Sequence, residues 1–345
     1  MNKKNKIIGC IGLLISIGIA IVGFNFYSKI YKSNVISDCH ILIPTNSSIE
    51  ELAEIISPHI KRTVSFVWVA EKKKYSNQIK AGKYSLKEGM NNNELINLLR
   101  SGKQTPVKLS FNNQHTLEYL AGRIAEQIEA DSISLLKAFN DSLFLNKHNF
   151  SRETGLAMYI PNSYQVYWNT SAVGFRKKML KEYHIFWNQK RLAKAKAQKL
   201  TPLEVSSLAA IVQKETANIA ERPTVAGLYL NRIHHNWPLQ SDPTIIFALK
   251  QKHGQNFEVK RVLTKDLQIK SNYNTYKYKG ITPGPIAMPD ISSIEAVLSP
   301  KNHNYYFMCA SIDDFGKHVF AKTLSEHNRN ARKYQNWLSK QGVNR

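Results

Sequence analysis

The longest hydrophobic feature of the chain is an uncharged apolar run from Ile7 to Tyr27, preceded by Lys3, Lys4 and Lys6. Wound as a helix at ~1.5 Å per residue, such a run crosses a hydrocarbon layer of ~30 Å. The basic leader predicts a short cytoplasmic end over residues 1–6, a transmembrane helix over 7–27 and everything after about Ser28 outside the cytoplasm. Lys29 and Lys32 keep the charge asymmetry mild. Gly18 and Ala20 also form the small-x-small pattern of a cleaved leader, although the apolar residues continue through Ile21, Val22, Phe24 and Phe26, as in a retained anchor. Both readings put the body of the chain beyond the inner membrane, single-pass in the anchored case.

Past a polar stalk at 28–37 the pattern shortens. His40 to Pro44 reads as a strand, and Ser48 with Glu51 forms a capping box ahead of Ile49, Leu52, Ala53 and Ile56 at helical spacing. A second strand is expected at Val64 to Val69, and Asn91 with Glu94 repeats the capping pattern before Leu95, Leu98 and Leu99. These elements predict a small mixed module over 38–106, suited to targeting or spacing. By its residues alone, the run from Ala81-Gly82-Lys83-Tyr84 to Gly89-Met90 reads most simply as a turn.

Residues 107–340 read as one larger domain, making the chain α+β. Helices are expected around Leu117, Leu120, Ala121, Ile124 and Ile128, from Phe175 through Tyr183, and over the basic, Ala-rich stretch 190–199. Thr201-Pro202-Leu203-Glu204 starts another by its cap, proline and acidic first turn, with Val205, Leu208, Ala209 and Val212 as its buried face. Glu215 follows Leu208 by seven residues, almost two turns, and so belongs to that apolar face. Burial disfavours a charged carboxylate, so a glutamate held there keeps its proton towards neutral pH and suits general-acid work. The plainer alternative is a helix-end glutamate paired with Lys214, Arg222 or Arg232. Glu221, Arg222 and Pro223 open a further helix with Val225, Ala226, Tyr229, Leu230 and Ile233 inward, closing at Asn231 and Arg232. In the polar turn from Leu239 to Thr244, Asp242 is placed either to cap the next helix or to hold hydroxyl groups. The segment Ser271 to Gly284 interleaves Asn and Tyr with Gly and Pro, a loop composition that also suits a carbohydrate groove.

Composition narrows the classes. A chain of 345 residues with 43% hydrophobic and 10% aromatic content supports about two globular domains. The net charge of +23, from 48 Lys+Arg against 25 Asp+Glu, implies attraction to a polyanion. The basic residues are spread along the chain without a helix-turn-helix, zinc-finger or aromatic RNA-binding signature, so nucleic acid is not the expected partner. Anionic lipid headgroups and a carboxylate-bearing wall polymer both fit. Cys10, Cys39 and Cys309 form no metal-ligand cluster. Cys10 closes a lipobox-like Ile-Ile-Gly-Cys run that lacks a preceding apolar stretch; Cys39 and Cys309 are open to pairing, yet Cys309 lies in an apolar strand-like run and reads more simply as a buried thiol.

A series of motifs carries a family resemblance: Lys214-Glu215-Thr216, Glu221-Arg222, Asn231-Arg232, Leu239-Gln240-Ser241-Asp242-Pro243-Thr244, Tyr273-Asn274-Thr275-Tyr276, and the run from Gly280 through Pro283-Gly284-Pro285 to Ile286. Ser299-Pro300 before an expected strand from Tyr305 to Ala310, His318 through Phe320, and His327-Asn328 continue it. In this order and spacing the chain resembles the endolytic murein transglycosylases, also called the YceG-like family, over nearly its whole length. Gly82-Lys83-Tyr84 and Gly89-Met90 match that family's small LysM-like module. The resemblance implies a lytic transglycosylase that breaks the bond between N-acetylmuramic acid and N-acetylglucosamine inside nascent peptidoglycan strands without adding water. It would leave 1,6-anhydro ends and terminate elongation. Glu215 matches the family's catalytic acid and base; Gln240, Asp242, Thr244, Asn274 and Tyr276 are the positions expected to hold the sugar. The resemblance implies neither metal nor organic cofactor, and it implies glycan strands and membrane-bound synthases as partners. The chain departs from the family with Gln213 before Lys-Glu-Thr, where many relatives are acidic, and with Leu156-Ala157 and Pro161-Asn162 in place of Glu-Gly and Pro-Asp. A wall-binding scaffold without catalysis and a hydrolytic muramidase are the rival readings.

Overall fold

The computed structural model of the chain describes residues 3–341; Met1 and Asn2, the tip of the basic leader, lie outside them. The described residues form a mixed α+β structure of two compact units. One comprises the chain up to Leu109 with 127–130 and 164–171; the other comprises 110–126, 131–163 and the chain from Ala172 onward.

Helix α1 (Lys3–Tyr31) is, from Ile7, long and apolar enough to cross a membrane. It runs past the expected end at Tyr27 into the intended stalk because its last turn has partners. Phe26 packs on Trp68 at 5.3 Å between ring centres, the Lys29 ammonium lies 5.0 Å from the same ring, and the Asn92 amide donates to the Lys29 carbonyl at 2.8 Å.

In the first unit follow β1 (Cys39–Ile43), α2 (Ile49–Ile56), α3 (Thr63–Lys72), β2 (Gly82–Leu86) and α4 (Asn92–Ser101). Both capping boxes form as the sequence specifies, Ser48 with Glu51 and Asn91 with Glu94. The expected strand at Val64 to Val69 is instead α3. Phe66, Val69 and Ala70 are buried at helical spacing while Val64 stays 85% exposed, so packing overrides the strand preference of a β-branched run. The expected turn after Ala81 is instead the strand β2, antiparallel to β1 with Ile41 opposite Tyr84. Alternation buries Gly82, Tyr84 and Leu86, and the turn comes at Gly89. Gly82 has φ +136°, a backbone conformation in which any residue with a Cβ is strained. Ile41, Ile43, Leu52, Ile56, Phe66, Tyr84, Leu95 and Leu99 close one core.

Strand β3 (Val107–Phe111) leads into α5 (Leu117–Ala125), α6 (Ser132–Phe139) and α7 (Ser142–Lys147), after which β4 (Asn162–Val166) pairs with β3. Helices α8 (Ala172–Phe186) and α9 (Gln189–Ala197) bring the chain to α10 (Pro202–Glu215), the central helix of the second unit. Against α10 pack α11 (Arg222–His234), α12 (Asp242–His253) and α13 (Ile291–Leu298); an antiparallel ribbon of β5 (Phe307–Ala310) and β6 (His318–Ala321) and the helix α14 (Leu324–Lys340) complete it. The sequence predicted one buried face for α10, whereas Val205 through Val212 are all buried. Ser206 and Ser207 tolerate this by donating back to the carbonyls of Pro202 and Leu203 at 3.0 and 2.9 Å. Gly227 lets α11 lie against the chain at Lys301, whose carbonyl would be 2.5 Å from a Cβ.

Candidate active site

Glu215 is the last residue of α10; Thr216 turns to an extended conformation and ends the helix. That position aims the carboxyl into a cleft of about 430 Å³ lined also by Tyr229, Arg232, Gln240, Asp242, Tyr276, Phe307, Cys309, His318 and His327. The residue keeps some accessible surface along the cleft while protein closes round the rest of it. The Tyr229 hydroxyl donates to Oε1 at 2.7 Å, and the Ser241 hydroxyl donates to the same oxygen. Among the described residues Oε2 makes no hydrogen bond within the protein, so one carboxyl oxygen is anchored and the other faces the cleft unpaired.

Burial raises the Glu215 pKa above the ordinary glutamate value, with the Asp242 charge adding to the rise; the Ser241 and Tyr229 hydrogen bonds and the charge of His318 act against it. The negative end of the α10 dipole works in the same direction as burial. Neither Lys214, Arg222 nor Arg232 pairs with Glu215. Arg222 holds Asp290 at 2.7 Å, and Arg232 donates to the carbonyls of Tyr306 and Leu239 at 2.7 and 2.6 Å. Lys214 leaves the cleft altogether, its Nζ lying 3.5 Å from His115 Nδ1.

Of the positions expected to hold sugar, Gln240, Asp242 and Tyr276 line the cleft with Glu215, and Thr244 and Asn274 do not. The Tyr276 hydroxyl donates to Asp242 at 2.5 Å; burial raises its pKa first, and this bond raises it further. Gln240 sits at φ +50° with its N–H bonded to the Thr275 carbonyl at 3.0 Å. Thr244 is fully buried and joins the Thr275 hydroxyl at 2.8 Å; Asn274, equally buried, donates to the carbonyls of Leu267 and Ile269 at 2.9 Å. These two brace the loop that presents Tyr276, because their polar groups are already satisfied inside it. Asp242, for which a cap was one of the two expected roles, is the first helical residue of α12; Ser241 is at the cap position but makes no capping bond, since its hydroxyl is engaged by Glu215. Cys309, expected to be buried, is partly exposed on the cleft wall, and all three cysteines are free.

The residues that sequence reasoning missed are those that act on Glu215 from other elements. Tyr229 was assigned to the buried face of α11 without a partner for its hydroxyl, and Ser241 passed as part of a polar turn. Glu221, 8% exposed, accepts from the His318 N–H at 2.7 Å and from its Nδ1 at 2.9 Å, which fixes that imidazole at the cleft. His327 stacks on Phe307 at 5.4 Å, and burial lowers its pKa, helped by Arg232. Their sequence signal was membership of the motifs Glu221-Arg222, Leu239 through Thr244, His318 through Phe320 and His327-Asn328, whereas Tyr229 belongs to none of the motifs.

Fold and site together define a mixed α+β protein organised round one half-buried, doubly anchored carboxyl at a helix end. The chain matches the model of the YceG-like family over residues 41–333 and belongs to that family. It is 31% identical over 313 residues to the endolytic murein transglycosylase of Bacillus subtilis, covering 86% of this chain and 84% of that protein. To the Streptococcus pneumoniae protein of the same name it is 27% identical over 329 residues, 85% of this chain but 58% of the longer relative. A crystal structure of a YceG-like protein from Listeria monocytogenes superposes with a TM-score of 0.55 at 28% identity, over 85% of this chain and 98% of that one.

Proposed function

We propose that the chain is an endolytic lytic transglycosylase of peptidoglycan and that Glu215 performs both of its proton transfers. The observation that carries the reading is the carboxyl itself, with Oε1 anchored by Tyr229 and Ser241 and Oε2 open to the cleft. A glutamate whose pKa is raised by burial holds a proton on Oε2 and gives it to the oxygen linking N-acetylmuramic acid to N-acetylglucosamine as the bond from that oxygen to C1 breaks. The carboxylate left behind takes the proton of the muramic 6-hydroxyl, whose oxygen closes on C1. Water is neither consumed nor released. The usual second carboxylate of a glycosidase serves to activate water or attack C1, and internal attack removes that need. Asp242, tied to Tyr276, positions substrate with Gln240.

In this reading residues 7–27 anchor the enzyme in the inner membrane with residues 1–6 cytoplasmic, 28–37 join it to a LysM-like module at 38–106, and 107–340 form the catalytic domain. Trp68, flanked by Lys29 and Lys72 at 5.0 and 5.9 Å, sits beside the end of the apolar helix, a place where aromatic and basic side chains favour a membrane interface. The substrate is then a nascent strand, the neighbours are membrane-bound synthases, and each cut ends elongation. Purified protein incubated with peptidoglycan releases fragments one water lighter than hydrolysis products, and Glu215→Gln releases none. Reducing ends in place of anhydro ends would establish a muramidase, and binding without cleavage by both proteins would establish a scaffold.

A further inference from the structure

Lys214 shares a motif with Glu215, yet it opens onto a separate hollow of about 230 Å³ formed by α10, α12 and the chain at the start of α5. Lys214, Lys250 and His115 line it with Tyr119, Pro243 and Phe247, and no carboxylate is among its lining residues. Neither lysine forms an ion pair among the described residues. The hollow disfavours added positive charge: burial lowers the Lys214 pKa with Lys250 adding to it, and burial, Lys214 and Lys250 together lower that of His115. Glu118 and Glu153 lie in the adjoining hollow, which shares the His115 wall. Basic side chains crowded over an apolar floor, with no carboxylate lining the hollow itself, form a site for an anionic group.

The hollow and the catalytic cleft share a wall. Glu215 and Asp242 face the cleft, and their chain neighbours Lys214 and Pro243 face the hollow. Lys250 stands eight residues beyond Asp242 on α12, about 12 Å along the helix axis, within reach of a short extended peptide.

We propose that this hollow is a carboxylate-binding subsite for the peptide stem of the muramic acid residue in the cleft, so that Lys214, Lys250 and His115 select strands that still carry stems. The inference rests on the glycan-cleaving reading above. Two measurements keep them separable. The first is the ratio of kcat/KM on stem-bearing strands to that on strands stripped of stems by an amidase. This ratio falls about fivefold or more in Lys250→Gln, and blocking the stem carboxylates as amides lowers it in the native enzyme to the same extent. The second is calorimetric binding of a disaccharide-tetrapeptide to Glu215→Gln, which weakens by a similar factor when Lys250→Gln is added, with inorganic phosphate as the competing probe. An unchanged ratio with unchanged binding overturns the subsite. Binding that depends on Lys250, in a protein that cleaves neither strand, overturns the enzymatic reading and leaves the subsite standing. If phosphate displaces the tetrapeptide at low concentration and the amidated stem binds as well as the native one, the site is for phosphate and the carboxylate assignment fails.

Discussion

In the first unit, tyrosines aside, the buried polar residues among those described are Asn34 and Asn92; the Asn34 amide donates to Asn92 Oδ1 at 2.7 Å and the Asn92 amide to the Lys29 carbonyl at 2.8 Å, while Asn34 Oδ1 has no partner. In the second unit the buried set includes Glu221, Arg222, Arg232, Ser241, Thr244, Asn274 and Thr275. Burying a polar group destabilises unless its bonds are remade, so the first unit, which buries few of them, lies nearer the arrangement that stability alone would select. There Ser241 bonds to Glu215, Glu221 fixes His318 at the cleft, Arg222 holds Asp290 at the start of α13, and Arg232, Thr244, Asn274 and Thr275 brace the loops around the cleft. The difference separates a fold-maintaining region from a chemistry-bearing one without reference to any relative.

The largest effect that tests this contrast comes from Glu215→Gln. The rate of anhydro-end formation, measured by mass spectrometry of digested wall, drops roughly 10³-fold. Stability moves the other way. The folded pKa of Glu215 lies above the ordinary value of 4.5, so the native side chain's contribution is fully present below 4.5 and is lost as pH rises through the raised value. Thermal unfolding therefore shows Glu215→Gln gaining on the native protein from acid towards neutrality. Parallel curves would mean that the carboxyl is not strained by burial, and the contrast between units would weaken.

Leu52→Ala is the counterpart in the first unit. Leu52 has no exposed surface, and its truncation costs about 2–5 kcal/mol in urea unfolding, against about 0.5 kcal/mol or less for Leu42→Ala on the neighbouring strand, where 42% of the residue is exposed. Equal losses at both positions would show that this core is not the organised one described. Tyr229→Phe has a smaller effect that is read in activity: about a tenfold loss of rate, with the basic limb of the pH profile moving to higher pH because a hydrogen bond favouring the carboxylate has gone. A profile that stays in place would detach Tyr229 from the titrating group.

What could be read from the sequence follows the range of the forces involved. Capping boxes at Ser48, Asn91 and Thr201 are local, and the structure contains all of them. Helix α3 and strand β2 were misread because Val64 to Val69 and Gly82 to Leu86 take their form from partners far along the chain, the core round Phe66 and the pairing with β1. Glu215 stood out because a carboxyl on an apolar helix face violates a local rule. Tyr229 and Ser241 violate none; fourteen and twenty-six residues away in sequence, they matter only once the fold closes on Oε1.

The smallest effect compares two serines at the same helical position. Ser48 caps α2, its hydroxyl accepting from the Glu51 N–H at 3.2 Å, whereas Ser241 precedes α12 with its hydroxyl turned to Glu215. Ser48→Ala thus removes a cap and costs about 1 kcal/mol of stability, seen as a lower urea midpoint. Ser241→Ala removes no cap; losing its hydrogen bond to Oε1 costs about 0.5–1.5 kcal/mol, and because that donor favoured the carboxylate its loss raises the Glu215 pKa and moves the basic limb of the pH profile upward. If Ser241→Ala left the profile unmoved, as Ser48→Ala does, Ser241 would be an ordinary cap. Oε1 would then be anchored by Tyr229 alone, and the network that distinguishes the second unit would shrink to the groups that hold its loops.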